Sequence, residues 1–274
     1  MEKPILLATA LAALFFISCD KEPSPVTVYG IDGKTPLPEA VDMGITVDGH
    51  KVLWASFNLG ASTEYEYGDY YAWGETQTKE TYSWGNYKFS DGSGDERITK
   101  YFPKNDPWEK REWALDTPPD GITSLLPEDD VAHLKLGGGW RMPTREEFEA
   151  LLSTSNNPRY SGWGKVVNAP GNLKDESGML MKGFRIKYKP NGNSIFLPLA
   201  DYAGKEGVMH GTATWEGYHI GMYWTSSLNV PSGGGGVTVY LHDHKNPYVK
   251  DDLHGLGNIQ RYCGLSIRPV RIEN

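Results

Sequence analysis

Short apolar runs separated by Gly, Asn and Asp dominate the chain from Val41 onward. Runs of this length that are rich in β-branched and aromatic residues, and that are flanked by turn residues, predict β-strands. Seven such runs stand out, near residues 51–57, 69–73, 180–188, 194–199, 220–227, 236–242 and 262–270.

Two segments carry helix signals instead. The first covers roughly residues 127–136, where a proline and three acidic residues stand near the start and three glycines follow the end. Acidic side chains favour the positive end of the helix dipole, and glycine suits the position after a helix. The second covers roughly residues 145–153, and Thr144 and Glu147 form a capping box at its start. Few helices among many short strands predict an α+β domain.

Residues 1–18 have the layout of a secretory signal peptide, with a basic residue, an uncharged apolar run and a small residue before Cys19. The apolar run is shorter than the roughly 20 residues that a membrane-spanning helix needs. Phe16-Ile17-Ser18-Cys19 resembles a lipobox, with Phe16 at the position where Leu is usual. The sequence therefore predicts cleavage before Cys19 and lipid on its thiol, and the alternative is a buried apolar helix.

Lipid on Cys19 would hold the mature chain on a membrane, because several acyl chains give stable anchoring. The residues that follow, Asp20-Lys21-Glu22, resemble the export signal of Bacteroidetes surface lipoproteins. We therefore expect the outer face of the outer membrane, and the alternative is an ordinary charged tether. The proline-rich stretch 19–38 is predicted to be the anchor and tether, and residues 39–274 the folded domain.

Composition narrows the choice of partners. The net charge is −8, and an acidic chain without a basic stripe argues against a nucleic-acid partner. The chain contains 32 Gly, 9 Trp and 16 Tyr, which is typical of a loop-rich secreted fold whose rings supply buried area. Sugar-binding faces also use such rings, so composition leaves both roles open.

The irregular, aromatic stretch 83–125 is either a packed insertion or a recognition loop, and we favour the insertion.

Several sequence blocks follow one another in a distinctive order, and one of them, residues 140–148, reads Trp-Arg-Met-Pro-Thr-Arg-Glu-Glu-Phe. The blocks are at 41–44, 54–55, 58–61, 67–76, 129–133, 138–148, 192–198, 223–227 and 264–270. Together they resemble the "Fibrobacter succinogenes major paralogous domain" family of bacterial surface proteins. The resemblance implies a C-type-lectin-like fold, which is also related to the formylglycine-generating-enzyme superfamily. The function of this family is poorly defined, so the resemblance informs the fold more than the activity.

Two arginines stand inside these blocks. Planar guanidinium groups are suited to pinning loops through several hydrogen bonds. We expect Arg141 to pair with a buried acid, either Asp129 or Asp130, and Arg268 to act similarly near the C-terminal strand. For all the blocks we favour a role in maintaining the fold over contact with a ligand.

An enzymatic function is not expected. The formylglycine-generating relatives use a pair of cysteines for copper and oxygen chemistry, whereas Cys263 is the only cysteine here besides Cys19. A lone cysteine is more often a small buried hydrophobe. The chain also lacks G-x-S-x-G, H-E-x-x-H and phosphate-binding glycine motifs.

A metal ion is conceivable at the loop that follows residue 241. His242 and His244 flank Asp243, and residues i and i+2 of a strand face the same side, so both rings could reach one ion. Calcium prefers carboxylate and amide oxygens, which Asp243, Asn246, Asp251 and Asp252 could supply. A polar loop gives the same pattern, and the usual lectin tripeptides Glu-Pro-Asn and Gln-Pro-Asp are absent. We therefore expect no resident cofactor, with calcium as the exception that the fold analogy allows.

Ligand contacts are expected in two long glycine-containing stretches, 202–222 and 228–260. The candidate ligand-binding residues are Tyr202, Trp215, Tyr218, His242, Asp243 and His244. The alternative is that Trp215 and Tyr218 pack the loop against the core. The sequence thus predicts a non-catalytic surface module that binds a glycan or a protein. The alternatives are a structural or fimbria-like envelope component and, less favoured, a relative of the formylglycine-generating enzymes.

Overall fold

The computed structural model describes residues 27–93, 97–102, 120–176, 178–208, 220–229, 235–242 and 254–273. Its strands are β1 (Ala40–Val47), β2 (His50–Ala55), β3 (Tyr160–Ser161), β4 (Val166–Asn168), β5 (Lys182–Tyr188), β6 (Ser194–Pro198), β7 (Ala203–Gly204), β8 (Gly207–Val208), β9 (Ile220–Leu228), β10 (Gly235–His242), β11 (His254–Gln260) and β12 (Val270–Glu273). The α-helices are α1 (Val131–Leu136) and α2 (Arg145–Leu152). Among the described residues the protein is mostly antiparallel β-sheet with few helices.

The first sheet joins distant parts of the chain. Its strand order is β1-β2-β12, and β2 is antiparallel to both neighbours. Trp54 of β2 stands opposite Val41 on one side and Val270 on the other. The register of β1 is irregular between Asp42 and Ile45, where Gly44 adopts a φ of +67°.

The second sheet is built around β5. Strands β3 and β4 both pair with one edge of β5, and β6 pairs with the other edge. Phe184 and Ile186 of β5 are fully buried, whereas Arg185 between them is part-exposed and binds Glu64 through two hydrogen bonds of 2.7 and 2.9 Å. The loop that carries Glu64 therefore covers the outer face of this sheet.

The third sheet has the order β11-β10-β9, and β7 and β8 form a short separate hairpin. Single bridges connect the chain around it: Tyr71 to Leu265, Ala203 to Gly264 and Tyr223 to Ser266. These bridges bring residues 71, 203 and 223 to the same short stretch, 264–266, before β12.

Both predicted helices are confirmed. Pro127–Asp129 forms a 3-10 turn that leads into α1, and α2 covers most of the second predicted segment. The capping box is also confirmed, since the Thr144 hydroxyl accepts from the Glu147 N–H at 3.3 Å and the Glu147 carboxylate accepts from the Thr144 N–H at 2.8 Å. Phe148 of α2 packs edge-on against Trp54 with ring centroids 4.9 Å apart. The helix is thereby fixed on the first sheet.

The strand predictions are partly confirmed. β2, β5, β6, β9 and β10 lie where strands were predicted, but the predictions for 69–73 and 262–270 were wrong apart from the start of β12. Each of these two segments forms single bridges rather than a ladder. The apolar side chains in them, including Trp73 and Ile267, are buried in the core, which explains the strand-like pattern. Six observed strands were not predicted: β1, β3, β4, β7, β8 and β11.

The described part of the stretch 83–125 contributes several aromatic residues to the core. Trp84, Tyr87, Phe89 and Tyr101 are buried, and their rings pack edge to face at centroid distances of 5.3–5.8 Å, with Trp73 adding a contact of 5.0 Å to Tyr101. This supports the packed insertion for the described part. Residues 103–119 lie outside the described residues.

The N-terminal predictions concern residues that the structure does not describe. Cys19 and the signal segment 1–18 are outside the described ranges, so cleavage and lipidation stay predictions. Within the described residues, no helix has the length and apolarity needed to cross a membrane.

Residues 27–37, in the second half of the predicted tether, form a hairpin on α1, with the Asp32 N–H donating to the Lys135 carbonyl at 3.3 Å.

Candidate functional site

A cavity of about 420 Å³ opens between three loops of the described chain. One wall comes from residues 60–70, a second from residues 78–82, and the third from the connection between β4 and β5. We call it the tyrosine cavity. Its polar and aromatic lining consists of Glu66, Tyr67, Asp69, Tyr70, Thr78, Lys79, Tyr82, Asp175 and Glu176.

Hydrogen bonds to the backbone hold two of the cavity's rings in place. The Tyr70 hydroxyl donates to the Ala200 carbonyl. The Tyr82 hydroxyl donates to the Tyr70 carbonyl at 2.6 Å and accepts from the Lys79 N–H at 3.1 Å. Because each hydroxyl is committed to the backbone, the ring faces are fixed before a ligand arrives, which lowers the entropy cost of binding.

The wall at 60–70 depends on glycine. Gly68 has a φ of +73°, and a Cβ there would lie 2.3 Å from the Leu59 carbonyl oxygen. The Asn58 side chain donates to the Tyr67 carbonyl at 2.9 Å, and the Asp69 N–H donates to the Leu59 carbonyl at 2.9 Å. Only a residue without a side chain fits this turn at Gly68, so the loop closes tightly enough to present Tyr67 and Asp69 at one wall.

Arg268 supports that wall from the core. Its Nε donates to the Asn58 Oδ1 at 2.8 Å, and its two Nη atoms donate to the carbonyls of Ala55 and Phe196 at 3.0 and 2.5 Å. Arg268 is fully buried, and burial lowers its pKa to about 10. The expectation that Arg268 pins loops is confirmed, but these hydrogen bonds go to an amide and to backbone carbonyls rather than to an acid.

The cavity lining is acidic. Four carboxylates face one ammonium group, and the Lys79 ammonium is already paired with the buried Glu75 at 2.6 Å. The Asp69 carboxylate is oriented by the Tyr71 hydroxyl, which donates to it at 2.7 Å. Asp175 accepts from the Met179 N–H at 2.9 Å, which fixes it in a turn at the rim. Asp69 and Asp175 therefore present fixed hydrogen-bond acceptors to the cavity.

The tyrosine hydroxyls remain protonated at neutral pH. Burial raises the pKa of Tyr67 and of Tyr70 well above its ordinary value, and the charges of Asp175 and Asp201 raise both further. A protonated phenol is a hydrogen-bond donor, whereas the carboxylates are acceptors. The Tyr70 and Tyr82 protons are already donated to backbone carbonyls, so among the three cavity tyrosines it is the Tyr67 hydroxyl that can donate to a ligand. The cavity thus combines ring faces, a phenol donor and carboxylate acceptors, which is the chemistry that a hydroxyl-rich ligand requires.

A second hollow of about 330 Å³ lies beside β7 and β11. It is lined by Tyr202, Gly204, Lys205, Glu206, Ile259, Gln260, Tyr262 and Cys263. Cys263 is only 3 % exposed, and burial raises the pKa of its thiol to about 12. Such a thiol is not a nucleophile at neutral pH, because the reactive species is the thiolate.

The residues predicted from the sequence as ligand contacts are only partly described. Tyr202 is half-buried against the core and lines the second hollow, while His242 ends β10 with its ring 5.1 Å from Tyr240 and lines neither hollow. The structure therefore does not bring these two together. The other candidate ligand and metal residues lie outside the described residues: Trp215, Tyr218, Asp243, His244, Asn246, Asp251 and Asp252.

Among the described residues, no group of three or more His, Cys, Asp and Glu side chains is arranged to hold a metal ion. His254 starts β11, and its ring packs against Trp163 in a tilted arrangement at a centroid distance of 4.5 Å. Within the part of the chain that the structure describes, His254 is thus in a packing contact.

The prediction that Arg141 pairs with Asp129 or Asp130 was wrong. Arg141 binds Glu147 instead, with hydrogen bonds of 2.5 and 2.8 Å. Asp129 is already bound by Lys88, Lys100 and Tyr101. Asp130 caps α1 by accepting from the His133 N–H at 3.0 Å and also accepts from the Met142 N–H at 2.9 Å. Both aspartates therefore already have other partners.

The residues of the tyrosine cavity were not among the ligand-binding candidates predicted from the sequence. Its first wall lies in and beside the block 67–76, for which a role in the fold was favoured over contact with a ligand. A signal was present, since a run rich in Tyr, Asp and Glu stands between Gly60 and Gly74. The third wall, at residues 175–181, could not be assigned because nothing in the sequence shows that it approaches residues 60–70.

Comparison of the chain with protein-family models, with curated proteins and with solved structures gave no match.

Proposed function

We propose that this protein is a non-catalytic, lipid-anchored cell-surface module that binds a glycan in the tyrosine cavity. The observation that carries the proposal is the cavity itself, where backbone-anchored tyrosine rings face fixed carboxylates. Sugars present apolar C–H faces and many hydroxyls, which suit aromatic rings and charged acceptors respectively. The cavity volume of about 420 Å³ lies in the usual range for small-molecule sites.

The proposed architecture is a C-type-lectin-like domain of the family that the sequence blocks resemble. The support is the placement of those blocks. The block 67–76 lines the tyrosine cavity, and the block 264–270 forms the bridges to Tyr71, Ala203 and Tyr223 and begins β12. Short antiparallel strands, two α-helices and long irregular connections are compatible with that fold.

The proposed location is the outer face of the outer membrane, with lipid on Cys19. The support is the signal-peptide layout, the lipobox-like Phe16-Ile17-Ser18-Cys19 and the charged residues that follow it. A module held at the surface in this way has direct access to extracellular glycans. The burial of Cys263 and the raised pKa of its thiol argue against thiol chemistry at this position.

The test is a glycan array probed with residues 20–274, with calcium and again with chelator, followed by affinity measurements on variants. Glu176 is exposed and lines the tyrosine cavity, so Glu176→Gln removes one charged acceptor with little risk to folding. We expect it to weaken binding by about three- to tenfold, because the Gln amide oxygen still accepts a hydrogen bond but without the negative charge, a difference of about 1 kcal/mol. Tyr67→Phe, which keeps the ring but removes the donor, should weaken binding to a similar degree.

The matched control is Glu206→Gln, the same chemical change at the second hollow, where Glu206 is also exposed. Its affinity should equal that of the unmodified protein. If Glu206→Gln weakens binding while Glu176→Gln does not, the ligand lies in the second hollow and the assigned site is wrong. If no glycan binds with or without calcium, the carbohydrate proposal fails, and a protein-binding or structural envelope role becomes the better explanation.

A further inference from the structure

The N-terminal hairpin exposes an unusual amount of apolar surface. Val28 is 60 % exposed, Tyr29 51 % and Ile31 72 %. Five large hydrophobic residues in the described chain are strongly exposed, and these three stand within four consecutive positions. We call them the N-terminal apolar patch. Scattered exposed hydrophobic residues need no explanation, but a cluster marks an interaction surface.

The patch is held rigidly. Across the hairpin, the Gly30 N–H donates to the Thr35 carbonyl at 2.8 Å, and the Leu37 N–H donates to the Val28 carbonyl at 2.8 Å. At the tip, the Asp32 carboxylate accepts from the Thr35 N–H at 2.9 Å and from its hydroxyl at 2.7 Å. The hairpin that carries the three apolar side chains is therefore held in one conformation, and the Ile31 side chain also lies beside Gly137.

The hairpin is also fixed to the rest of the protein. The Asp32 N–H donates to the Lys135 carbonyl near the end of α1. A Cβ on Gly30 would lie 2.2 Å from that same carbonyl oxygen, so the backbone of the hairpin touches the helix directly. Any surface that binds the patch consequently sets the orientation of the described core as well.

The patch lies close in sequence to the proposed lipid anchor. Nine peptide units separate Cys19 from Val28, so even a fully extended chain places the patch within about 30 Å of the lipidated residue. A lipid on Cys19 therefore keeps the patch permanently near a bilayer surface, at a high effective concentration.

From the exposure, the rigidity and this short reach we infer that the N-terminal apolar patch rests on the bilayer that holds the anchor. The inference depends on the proposed lipidation of Cys19. Tyrosine is favoured at the membrane–water interface, and Val28 and Ile31 can enter the boundary between headgroups and acyl chains. Lys34, exposed on the same hairpin, can meet lipid phosphates. The bilayer contact would give the anchored protein one preferred orientation.

The experiment uses the full-length lipidated chain in vesicles of phosphatidylethanolamine and phosphatidylglycerol. An Ile31→Cys variant is labelled with a nitrobenzoxadiazole fluorophore. Labelling is selective because Cys19 carries lipid and Cys263 is buried. The matched control is Leu173→Cys, since Leu173 is another exposed hydrophobic residue but lies in a different loop. Val28→Cys provides a second position on the patch if the Ile31 variant disturbs the hairpin.

We expect iodide in the water to quench the probe at position 31 at least about threefold less than the probe at position 173, and a quencher carried by lipid to show the opposite order. Equal iodide quenching at positions 31 and 173 on vesicle-bound protein would overturn the contact. The contact would also be overturned if the protection at position 31 disappears when the protein density on the vesicles is lowered, because a second copy of the protein would then be what covers the patch.

If the unmodified protein does not float with vesicles, the lipid anchor itself fails and the contact fails with it. That outcome is distinct from failure of the contact alone, and glycan binding by residues 20–274 is independent of both.

Discussion

Arg141 and Glu147 form a two-pronged ion pair in which both carboxylate oxygens accept from the guanidinium group, at 2.5 and 2.8 Å. The Glu147 side chain is only 3 % exposed, and the same carboxylate accepts from the Thr144 N–H at the start of α2. A single side chain thus caps a helix and holds the loop that precedes it.

Replacing Glu147 tests this double role. Glu147→Gln keeps an acceptor for the Thr144 N–H but leaves Arg141 without its countercharge. We expect the free energy of unfolding to fall by about 2 kcal/mol, because a charged, largely buried hydrogen-bond partner is lost. The measurement is urea unfolding of residues 20–274. Glu146→Gln, one residue earlier and exposed, should change the free energy by less than about 0.5 kcal/mol. Equal effects of the two variants would contradict the pairing.

The clamp around Asp129 predicts a specific pH dependence. Burial alone would raise the pKa of Asp129, but hydrogen bonds from Lys100, Lys88 and Tyr101 outweigh it and hold the pKa below the ordinary 3.8. Between the lowered pKa and 3.8 the unfolded chain binds more protons than the folded one, so the stability from this group is present above about pH 4 and is lost as the pH falls through the folded pKa.

Asp129→Asn should therefore destabilise the protein at pH 7, by about 1–3 kcal/mol, and progressively less below pH 4. The measurement is urea unfolding across that pH range. A constant difference between Asp129→Asn and the unmodified protein from pH 7 to pH 2 would show that the carboxylate charge is not what stabilises the clamp. Asp48→Asn serves as control, since the Asp48 side chain is exposed in the turn between β1 and β2.

Alanine substitutions at Gly60 and Gly92 distinguish two costs to stability: the strain of a positive φ and the collision of a new side chain with its neighbours. Both glycines have a strongly positive φ, +84° and +79°. A Cβ at Gly60 would lie 2.4 Å from the Asp69 Cγ, whereas a Cβ at Gly92 meets nothing within 4 Å. We expect Gly92→Ala to cost about 1 kcal/mol from conformation alone, and Gly60→Ala about 2 kcal/mol or more, measured by thermal unfolding.

The two variants should also differ in ligand binding. Gly60→Ala displaces the Asp69 carboxylate from the wall of the tyrosine cavity, so glycan affinity should fall, whereas Gly92→Ala should leave it unchanged. If both variants bind equally well, Asp69 does not contribute to the proposed site.

The Cys263 thiol should be inert in the folded protein. In residues 20–274 it is the only cysteine, so a thiol reagent such as Ellman's reports on it alone. With a pKa of about 12 and 3 % exposure, the thiol should react about a thousandfold or more slowly at pH 8 than an ordinary cysteine. Full reaction in urea is the control. Rapid labelling of the native protein would instead favour thiol chemistry at the second hollow.

Local signals explain what could be predicted from the sequence. The capping box at Thr144 and Glu147, and the glycines after α1, act within a few residues, so both helices were found close to their observed ranges. The strand β11 was missed because its sequence, His-Gly-Leu-Gly-Asn-Ile-Gln, lacks apolar alternation and owes its conformation to the ladder with β10.

Features that depend on long-range contacts could not be predicted. Residues 69–73 have a strand-like composition because Tyr71 and Trp73 fill the core, yet their backbone partners, Leu265 and Arg261, lie far along the chain. Asp129 and Asp130 were the acidic partners expected for Arg141, and spacing alone did not show that Glu147 would face it instead. The tyrosine cavity combines segments separated by more than a hundred positions, and no local pattern reveals such an approach.

The placement of β2 between β1 and β12 also sets the order in which the protein can fold. The hairpin of β1 and β2 is local and can form early, but β2 keeps one edge open until the segment that begins at Val270 has been synthesised. Loop closure over such a distance is slow, and an open strand edge is a template for aggregation. Newly made chains therefore pass through a stage in which the open edge of β2 is accessible to chaperones and proteases. A nonsense mutation before Val270 would leave the protein at that stage permanently.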